Sequence, residues 1–250
     1  MLRSVESPGP WALLILCVAV LMGCASAKPE LQPTSAVEHS YRSLSFSAQD
    51  KLQWETVNIP GKLRTAFQLE NHQGRSSLRA DSERSASMLR QKLHIAPEQL
   101  HRLVFEWQVD NLIAEADMRF RDTEDSPVRL ILAFDGDRQK FSAKNAMLSE
   151  LSRALTGEEM PYATLMYVWS NQQPLDSVIV NPRSDRIRKI VVETGPAHLK
   201  QWRRYERQIR TDFEKAFGEP PGALVGLAIM TDTDNTQSKA RAWYGDIRLD

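Results

Sequence analysis

The chain has 250 residues, with 32 basic and 32 acidic side chains and a formal net charge of zero at pH 7. This length fits one large domain, and the balanced charge argues against a polyanion such as nucleic acid as a partner. Both cysteines, Cys17 and Cys24, lie near the N-terminus, so we expect a folded domain without a disulfide, a thiol nucleophile or a cysteine metal site.

The first residues have the pattern of an export signal. Arg3 precedes an apolar run from Trp11 to Met22, whose length is typical of the core of a signal peptide and too short for a membrane-spanning helix. The run ends in Leu21-Met22-Gly23-Cys24, which resembles the bacterial lipobox. That resemblance implies cleavage before Cys24 and a lipid on its thiol. An ordinary signal peptide cut near Ala25 to Lys28, or an uncleaved anchor, stays open.

These patterns divide the chain into three parts. We expect a signal peptide over residues 1–23, a flexible tether over residues 24–40 that is rich in polar residues and proline, and one folded domain over residues 41–250. The protein is then exported and anchored by lipid to the cell envelope, facing the periplasm if its source is Gram-negative.

Short strand patterns with turn residues between them open the domain. They are Ser43–Phe46, Thr65–Leu69, Ser76–Ala80 and Ser87–Ile95, with turns at Pro60-Gly61 and at Asn71 to Gly74.

Two longer segments alternate clearly between apolar and polar residues. In His101 to Asp110 the apolar face contains Leu103, Phe105, Trp107 and Val109, and Val128 to Phe134 repeats this pattern. Such alternation predicts half-buried strands, and the βαβ order of a parallel sheet is missing. The fold class predicted is therefore mainly β, an antiparallel sandwich with two peripheral helices.

The helices are predicted from apolar residues at helical spacing. Lys144 to Leu155 carries Met147, Leu148, Leu151 and Leu155, and it stops at Gly157. The strand patterns then resume at Tyr162–Ser170, Ser177–Val180 and Arg186–Thr194. A second and longer helix is predicted from Leu199 to Phe217, with an arginine-rich solvated face formed by Arg203, Arg204, Arg207 and Arg210.

The last part of the chain combines an apolar run, LVGLAIM, a carboxylate-rich turn, TDTDN, and a final strand pattern, RAWYGDIRL. Together with SASMLRQKL, LVFEWQV, PVRLILAFDGD and YATLMYVWS, these motifs resemble a bacterial family, domain of unknown function family three-zero-four-seven, from Leu52 to Leu249. The family often has paired aspartates before its Pro-Ala-Arg strand, whereas this chain has Glu124-Asp125. The resemblance implies no activity.

The order of the strand motifs is also similar to that of galactose-binding-like jelly rolls, which occur in many carbohydrate-binding modules. That likeness implies a jelly-roll-like sandwich and raises a glycan as a ligand.

The TDTDN turn is the first candidate site. Asp232, Asp234 and Asn235, with Asp246, offer oxygen ligands of the kind that calcium takes, although the glycine and glutamate of an EF-hand loop are missing. The alternative, which we favour, is a turn in which these side chains bond backbone amides.

The second candidate is a carboxylate on a polar strand face. Glu106 is suited to glycoside hydrolysis with a second carboxylate of the TDTDN turn, and Arg129 is expected near it across the sheet. The alternative is a cross-strand salt bridge on a solvated face. Aromatic residues such as Trp169 could stack on a sugar ring, although most aromatic residues in alternating strands belong to the core.

The sequence therefore favours an envelope lipoprotein that binds a glycan or another envelope component without catalysis. Its expected ligand contacts are Glu106, Arg129, Trp169, Asp232 and Asp234. Two alternatives stay open: a polysaccharide hydrolase or lyase that uses Glu106, and an assembly lipoprotein that binds a protein partner. No cofactor is expected apart from calcium.

Overall fold

The computed structural model describes residues 42–44 and 54–250, which belong to one unit, His39–Asp250. The predicted signal peptide at residues 1–23, the lipidation of Cys24 and the tether over residues 24–40 lie outside the described residues. Within the described part of the chain, no helix has both the length and the apolar character that a membrane crossing requires.

Two β-sheets and two α-helices make up the described fold. The strands are β1 (Arg42–Leu44), β2 (Glu55–Asn58), β3 (Ala66–His72), β4 (Arg75–Glu83), β5 (Ala86–Ile95), β6 (Arg102–Val109), β7 (Ser126–Phe134), β8 (Ala163–Ser170), β9 (Val178–Val180), β10 (Ile187–Thr194), β11 (Arg203–Gln208), β12 (Leu224–Asp232) and β13 (Lys239–Leu249). The helices are α1 (Ala143–Thr156) and α2 (Ile209–Phe217).

The sheets form the two layers of a sandwich. One has six strands in the order β11-β6-β13-β4-β3, with β1 paired to the end of β13, and the other has seven in the order β2-β5-β12-β7-β8-β10-β9. All the strand pairs are antiparallel except β8 with β10, which run parallel. The mainly β sandwich with two helices is therefore confirmed, with one parallel pair in it.

Alternation along the strands decides which side chains form the core. In β6 the predicted apolar residues Leu103, Phe105 and Trp107 are buried against the inward residues of the opposite sheet. Those partners include Leu130 and Leu132 of β7, whose other alternate residues point away from the core. The other alternates of both sheets, polar and apolar, are thereby left on the two outer faces of the sandwich.

The prediction of one long helix from Leu199 to Phe217 is wrong in its first half. Residues Arg203–Gln208 form β11, which pairs with the edge of β6, and the helix begins only at Ile209. Tyr205 explains the difference, because its ring packs 5.3 Å from that of Phe105 while its neighbours Arg204 and Glu206 are exposed on the other side of the strand. Arg203, Arg204 and Arg207 therefore lie on a strand, and α1 is the longer helix.

Helix α1 lies where its pattern predicts, but its buried face is polar. Asn145 is buried and donates to Asp185 at 2.6 Å, and its side-chain oxygen accepts from Ser184 at 2.9 Å. The apolar residues Met147 and Leu151 are 64% and 52% exposed. Ser142 caps the helix by accepting from the Asn145 amide, and Gly157 ends it in the left-handed conformation.

Candidate binding groove

A groove runs along the outer face of the seven-stranded sheet. Its floor is an apolar cluster separate from the main core, formed by the outward alternates of four adjacent strands. Their register places Met230 between Met88 of β5 and Arg129 of β7, and Ile131 between Ala228 and Met166. The groove encloses about 770 Å³, a volume within the range of about 300–1,000 Å³ that is common for small-molecule sites.

Two segments border this floor. The segment after β2 contributes Ile59, Pro60 and Lys62, and the end of α1 with the loop behind it contributes Leu155 and Met160. Glu158 fixes the second segment to the sheet by accepting from Arg90 at 2.5 Å and from Lys92 at 2.6 Å. These two cations hold the pKa of Glu158 down at about 2. The end of α1 is therefore fixed beside the groove.

Arg129 and Asp232 form the centre of the groove's polar end. The guanidinium of Arg129 donates to both carboxylate oxygens of Asp232, at 2.7 and 2.8 Å, and to the Glu124 carbonyl at 2.7 Å. Both side chains are buried, and burial raises the pKa of Asp232 to about 6 although Arg129 favours its ionised form. The pair is positioned because Arg129 and Asp232 are outward residues of the adjacent strands β7 and β12.

Glu124 gathers the remaining polar groups at this end. Its carboxylate accepts from Asn181 at 2.5 Å and Arg183 at 2.6 Å, and lies 2.8 Å from the Lys189 amine. Lys189 is fully buried on β10, and this burial lowers its pKa to about 8 even though Glu124 acts in the opposite direction. Lys189 does not itself line the groove, so its amine reaches the groove only through Glu124.

The TDTDN turn joins β12 to β13 and is held by Asp125 from outside the turn. Asp125 accepts from the backbone amides of Asn235 and Thr236, at 3.2 and 2.7 Å, and from both of their side chains. Asp234 pairs with Lys62. The turn is thus capped by one carboxylate, that of Asp125 next to β7, and not by the side chains of Asp232, Asp234 and Asn235 that the favoured interpretation of the sequence names.

Three of these carboxylates lie close enough together to hold a cation. Oxygens of Asp125, Asp232 and Asp234 are all within 4.8 Å of one another. Each already has donors from the protein, so the calcium site stays a prediction. Asp246 is not in this group, because it lies at an exposed position of β13 in the other sheet.

The expectation that Glu106 lies near Arg129 is wrong. Glu106 is an outward residue of β6 in the six-stranded sheet and pairs with Arg75 at 2.5 Å, whereas Arg129 faces outward from the seven-stranded sheet. The two side chains are on opposite outer faces of the sandwich. For the same reason Glu106 cannot form a catalytic pair with Asp232 or Asp234, and the salt-bridge interpretation holds for it.

Trp169 is also separate from the groove. Its ring is 1% exposed in the core and its indole nitrogen donates to the Gly195 carbonyl at 3.0 Å. Of the sequence-predicted contacts, the structure brings together Arg129, Asp232 and Asp234. It adds Glu124, Asn181, Arg183, Lys189 and the methionines of the floor, which sequence reasoning missed. One signal was available, since Lys189 is a cation in the middle of the apolar strand IRKIVVET.

Comparison with known proteins gives a family and a set of distant folds. Residues 52–248 match the family described as Protein of unknown function (DUF3047), in agreement with the resemblance seen over Leu52 to Leu249. No curated protein matches the sequence.

Several solved structures of carbohydrate-binding and glycan-cleaving proteins are distantly similar to this chain. A family 11 carbohydrate-binding module of a cellulosomal cellulase from Clostridium thermocellum is 9% identical, with a TM-score of 0.41 over 84% of this chain and 93% of that one. A cellulase derived from Cel12A of Rhodothermus marinus is 12% identical, with a TM-score of 0.37 over 84% and 97%. The xyloglucanase domain of NopAA from Sinorhizobium fredii is 8% identical, with a TM-score of 0.39 over 77% and 90%. At these identities and TM-scores the likenesses carry no argument about a ligand or reaction of this chain.

Proposed function

The chain belongs to the DUF3047 family, and because that membership assigns no activity, we propose from the groove itself that the protein is a non-catalytic binding module. The groove on the seven-stranded sheet is its ligand site. The observation that carries this proposal is the combination of a large open cavity with an apolar floor and a fixed polar network at one end.

The state of the carboxylates supports binding rather than catalysis. A general acid or a nucleophile needs an oxygen that faces the substrate. The acidic residues that line the groove are instead held by cations: Glu55 and Glu158 by Arg90, Glu124 by Arg183 and Lys189, Glu159 by Arg138, Asp232 by Arg129, and Asp234 by Lys62. A network of this kind offers rigid hydrogen-bonding groups to a ligand.

A glycan or another component of the cell envelope is the ligand class that we propose. The export signal and the lipobox-like Leu21-Met22-Gly23-Cys24 support an envelope location. Incorporation of labelled palmitate into the wild type and not into Cys24→Ser would support the lipid anchor, and equal labelling would contradict it.

Matched Trp substitutions test the groove. Ala133 lines the groove, and Ala66 is exposed on the edge strand β3 of the other sheet. We expect glycan-array and envelope-extract binding to be lost in Ala133→Trp and kept in Ala66→Trp. Binding that survives Ala133→Trp would place the ligand elsewhere, and a polysaccharide product formed by the wild type but not by Glu124→Gln would contradict the non-catalytic role.

A further inference from the structure

We infer that the ligand of the groove is an amphiphile with an uncharged, hydroxyl-rich head and an aliphatic chain, as in a glycolipid. The head lies at the Arg129 end, and the chain follows the methionine floor and continues onto the exposed apolar side of α1. This inference rests on the proposed binding function and adds the chemical class of the ligand.

The floor has the chemistry of a site for an aliphatic chain. Four methionines line the groove together with isoleucine, alanine and leucine, namely Met88, Met160, Met166 and Met230 with Ile59, Ile131, Ala228 and Leu155. Unbranched thioether side chains adapt to flexible apolar ligands. Among the described residues that line the groove there is no Phe, Tyr or Trp, so it lacks the flat ring on which a sugar face packs.

The apolar side of α1 continues this floor. Met147, Leu151 and Leu155 follow one another at four-residue spacing and are 64%, 52% and 61% exposed, and Leu155 also lines the groove. The opposite, buried side of the helix contains Asn145 and Ser149. A helix that buries its polar side and exposes its apolar side marks an interaction surface. Folding alone would turn the apolar side toward the core, and a partner that covers this side removes the apolar side chains from water.

We call Met147, Leu151 and Leu155 the α1 stripe. Because the α1 stripe and the floor meet at Leu155, a ligand that already occupies the groove can cover the stripe with the same chain. Continuity with the groove therefore indicates the aliphatic part of the groove's own ligand as the occupant of the stripe.

The polar end favours a head without net charge. Four cations, Lys62, Arg129, Arg183 and Lys189, lie among four carboxylates, Glu124, Asp125, Asp232 and Asp234. A charged head would have to displace a partner from one of these ion pairs. Hydroxyl groups both donate and accept, so they can add to the network and leave its pairs intact. Lys62 and Arg183 have side chains that are 39% and 42% exposed, so they remain accessible to such a head.

Methionine methyl NMR of the full chain with dodecyl maltoside, below its micelle concentration, tests this inference. We expect the methyl signals of Met88, Met166 and Met230 on the floor and of Met147 on the stripe to shift. Met118 is 3% exposed and does not line the groove, but Met166 packs against its cluster, so its signal should shift less than those of the floor. Maltose alone should leave the floor signals unchanged, and dodecanoate should bind more weakly than the maltoside.

Substitutions on the α1 stripe measure its share of the affinity. Leu151→Asp with Leu155→Asp should weaken maltoside binding at least about tenfold, since the change replaces apolar contact with the aliphatic chain by two charges. Leu175→Asp, at a 55% exposed leucine that does not line the groove, should leave the affinity unchanged. Because all three leucines are exposed, the folds of the variants should be comparable.

The outcomes separate this inference from the proposed function. Floor shifts with maltose equal to those with the maltoside would overturn the aliphatic part and leave a glycan-binding groove. Shifts confined to Met147 would mean adsorption on the stripe and would overturn the continuous site. Tighter binding of dodecanoate would overturn the uncharged head. If neither these probes nor the glycan array gave a groove signal, the proposed function would fail as well.

Discussion

Arg129 is the residue on which the polar end of the groove depends. Its guanidinium is buried and makes the two bonds to Asp232 together with a bond to the Glu124 carbonyl. Removal of one member of a buried ion pair leaves the other charge without solvent or partner. We expect Arg129→Leu to lower the free energy of unfolding by about 3–5 kcal/mol, as measured by urea denaturation.

The matched control removes both charges. Arg129→Leu with Asp232→Leu should recover a large part of that loss, because no buried charge is left unpaired. A single variant as stable as the wild type would mean that water reaches Asp232.

The buried amine of Lys189 makes the free energy of unfolding depend on pH. Its pKa is about 8 in the folded protein and 10.5 in the reference state, so the unfolded chain binds more protons between these values. The free energy of unfolding therefore rises with pH from about 8 to 10.5, by about 3 kcal/mol from this group. Urea denaturation should show this rise as a difference between the wild type and a variant without the amine, because Tyr167, Tyr205 and Tyr244, whose pKa values are raised by burial, act in the opposite direction above about pH 10.

Lys189→Met isolates the contribution of this amine. The variant lacks the titrating group, so its free energy of unfolding should lose the rise that the wild type shows. Equal slopes in the two proteins would place the Lys189 amine in contact with solvent.

Sequence reasoning found Asp232 and Asp234 because they belong to a carboxylate-rich turn between two strand patterns, and Arg129 because a charged residue beside apolar alternates is visible in a strand pattern. It missed Glu124, Asn181 and Arg183, which lie outside the strands. Only the fold brings the side chains of Asn181 and Arg183 to the Glu124 carboxylate, and no spacing in the sequence predicts this contact.

At the scale of elements, α1 shows that helical periodicity predicts a helix without predicting which of its sides is buried. Met147, Leu151 and Leu155 predict the helix correctly, but the same spacing cannot say whether the apolar side meets the core or a ligand. The segment of β11 shows the opposite difficulty. Leu199, Trp202 and Ile209 fit a helical spacing, whereas pairing with β6 and the packing of Tyr205 impose a strand.

A pair of leucine truncations measures which way α1 faces. Leu151→Ala should change the free energy of unfolding by no more than about 0.5 kcal/mol, as is usual for an exposed position. Leu165→Ala, in the core on β8, should cost about 2–5 kcal/mol. Thermal or urea denaturation compares the two. A large loss in Leu151→Ala would mean that the stripe is part of the core and would also remove the basis for ligand contact there.

At the scale of the molecule, Tyr244 ties the two sheets together. It points inward from β13, and its hydroxyl donates to the Met230 carbonyl of β12 at 2.6 Å and lies 2.9 Å from the Thr231 hydroxyl. Tyr244→Phe keeps the ring and leaves these groups without that partner. We expect a loss of about 1–3 kcal/mol in the free energy of unfolding by urea denaturation. Trp243→Phe is the variant for comparison, because Trp243 lies on the outer face of the same strand and its substitution leaves the interface between the sheets unchanged.

The assignment of strands to sheets is the part of the fold that alternation could not supply. Alternation correctly places Glu106 and Arg129 on the outward sides of their strands. The outward sides of β6 and β7, however, belong to opposite faces of the sandwich. The error about the catalytic pair follows from that single gap.

The positions of β12 and β13 have a consequence for the kinetics of folding. Each lies inside a sheet, β12 between β5 and β7 and β13 between β6 and β4, so both sheets depend on residues 224–249 for closure. Their partners in β4, β5 and β6 lie far back in the sequence, and pairings of such high sequence separation require closure of long loops before they stabilise anything. The earlier strands consequently have exposed, unpaired edges until residues 224–249 pair with them. Folding should therefore be slow and concerted.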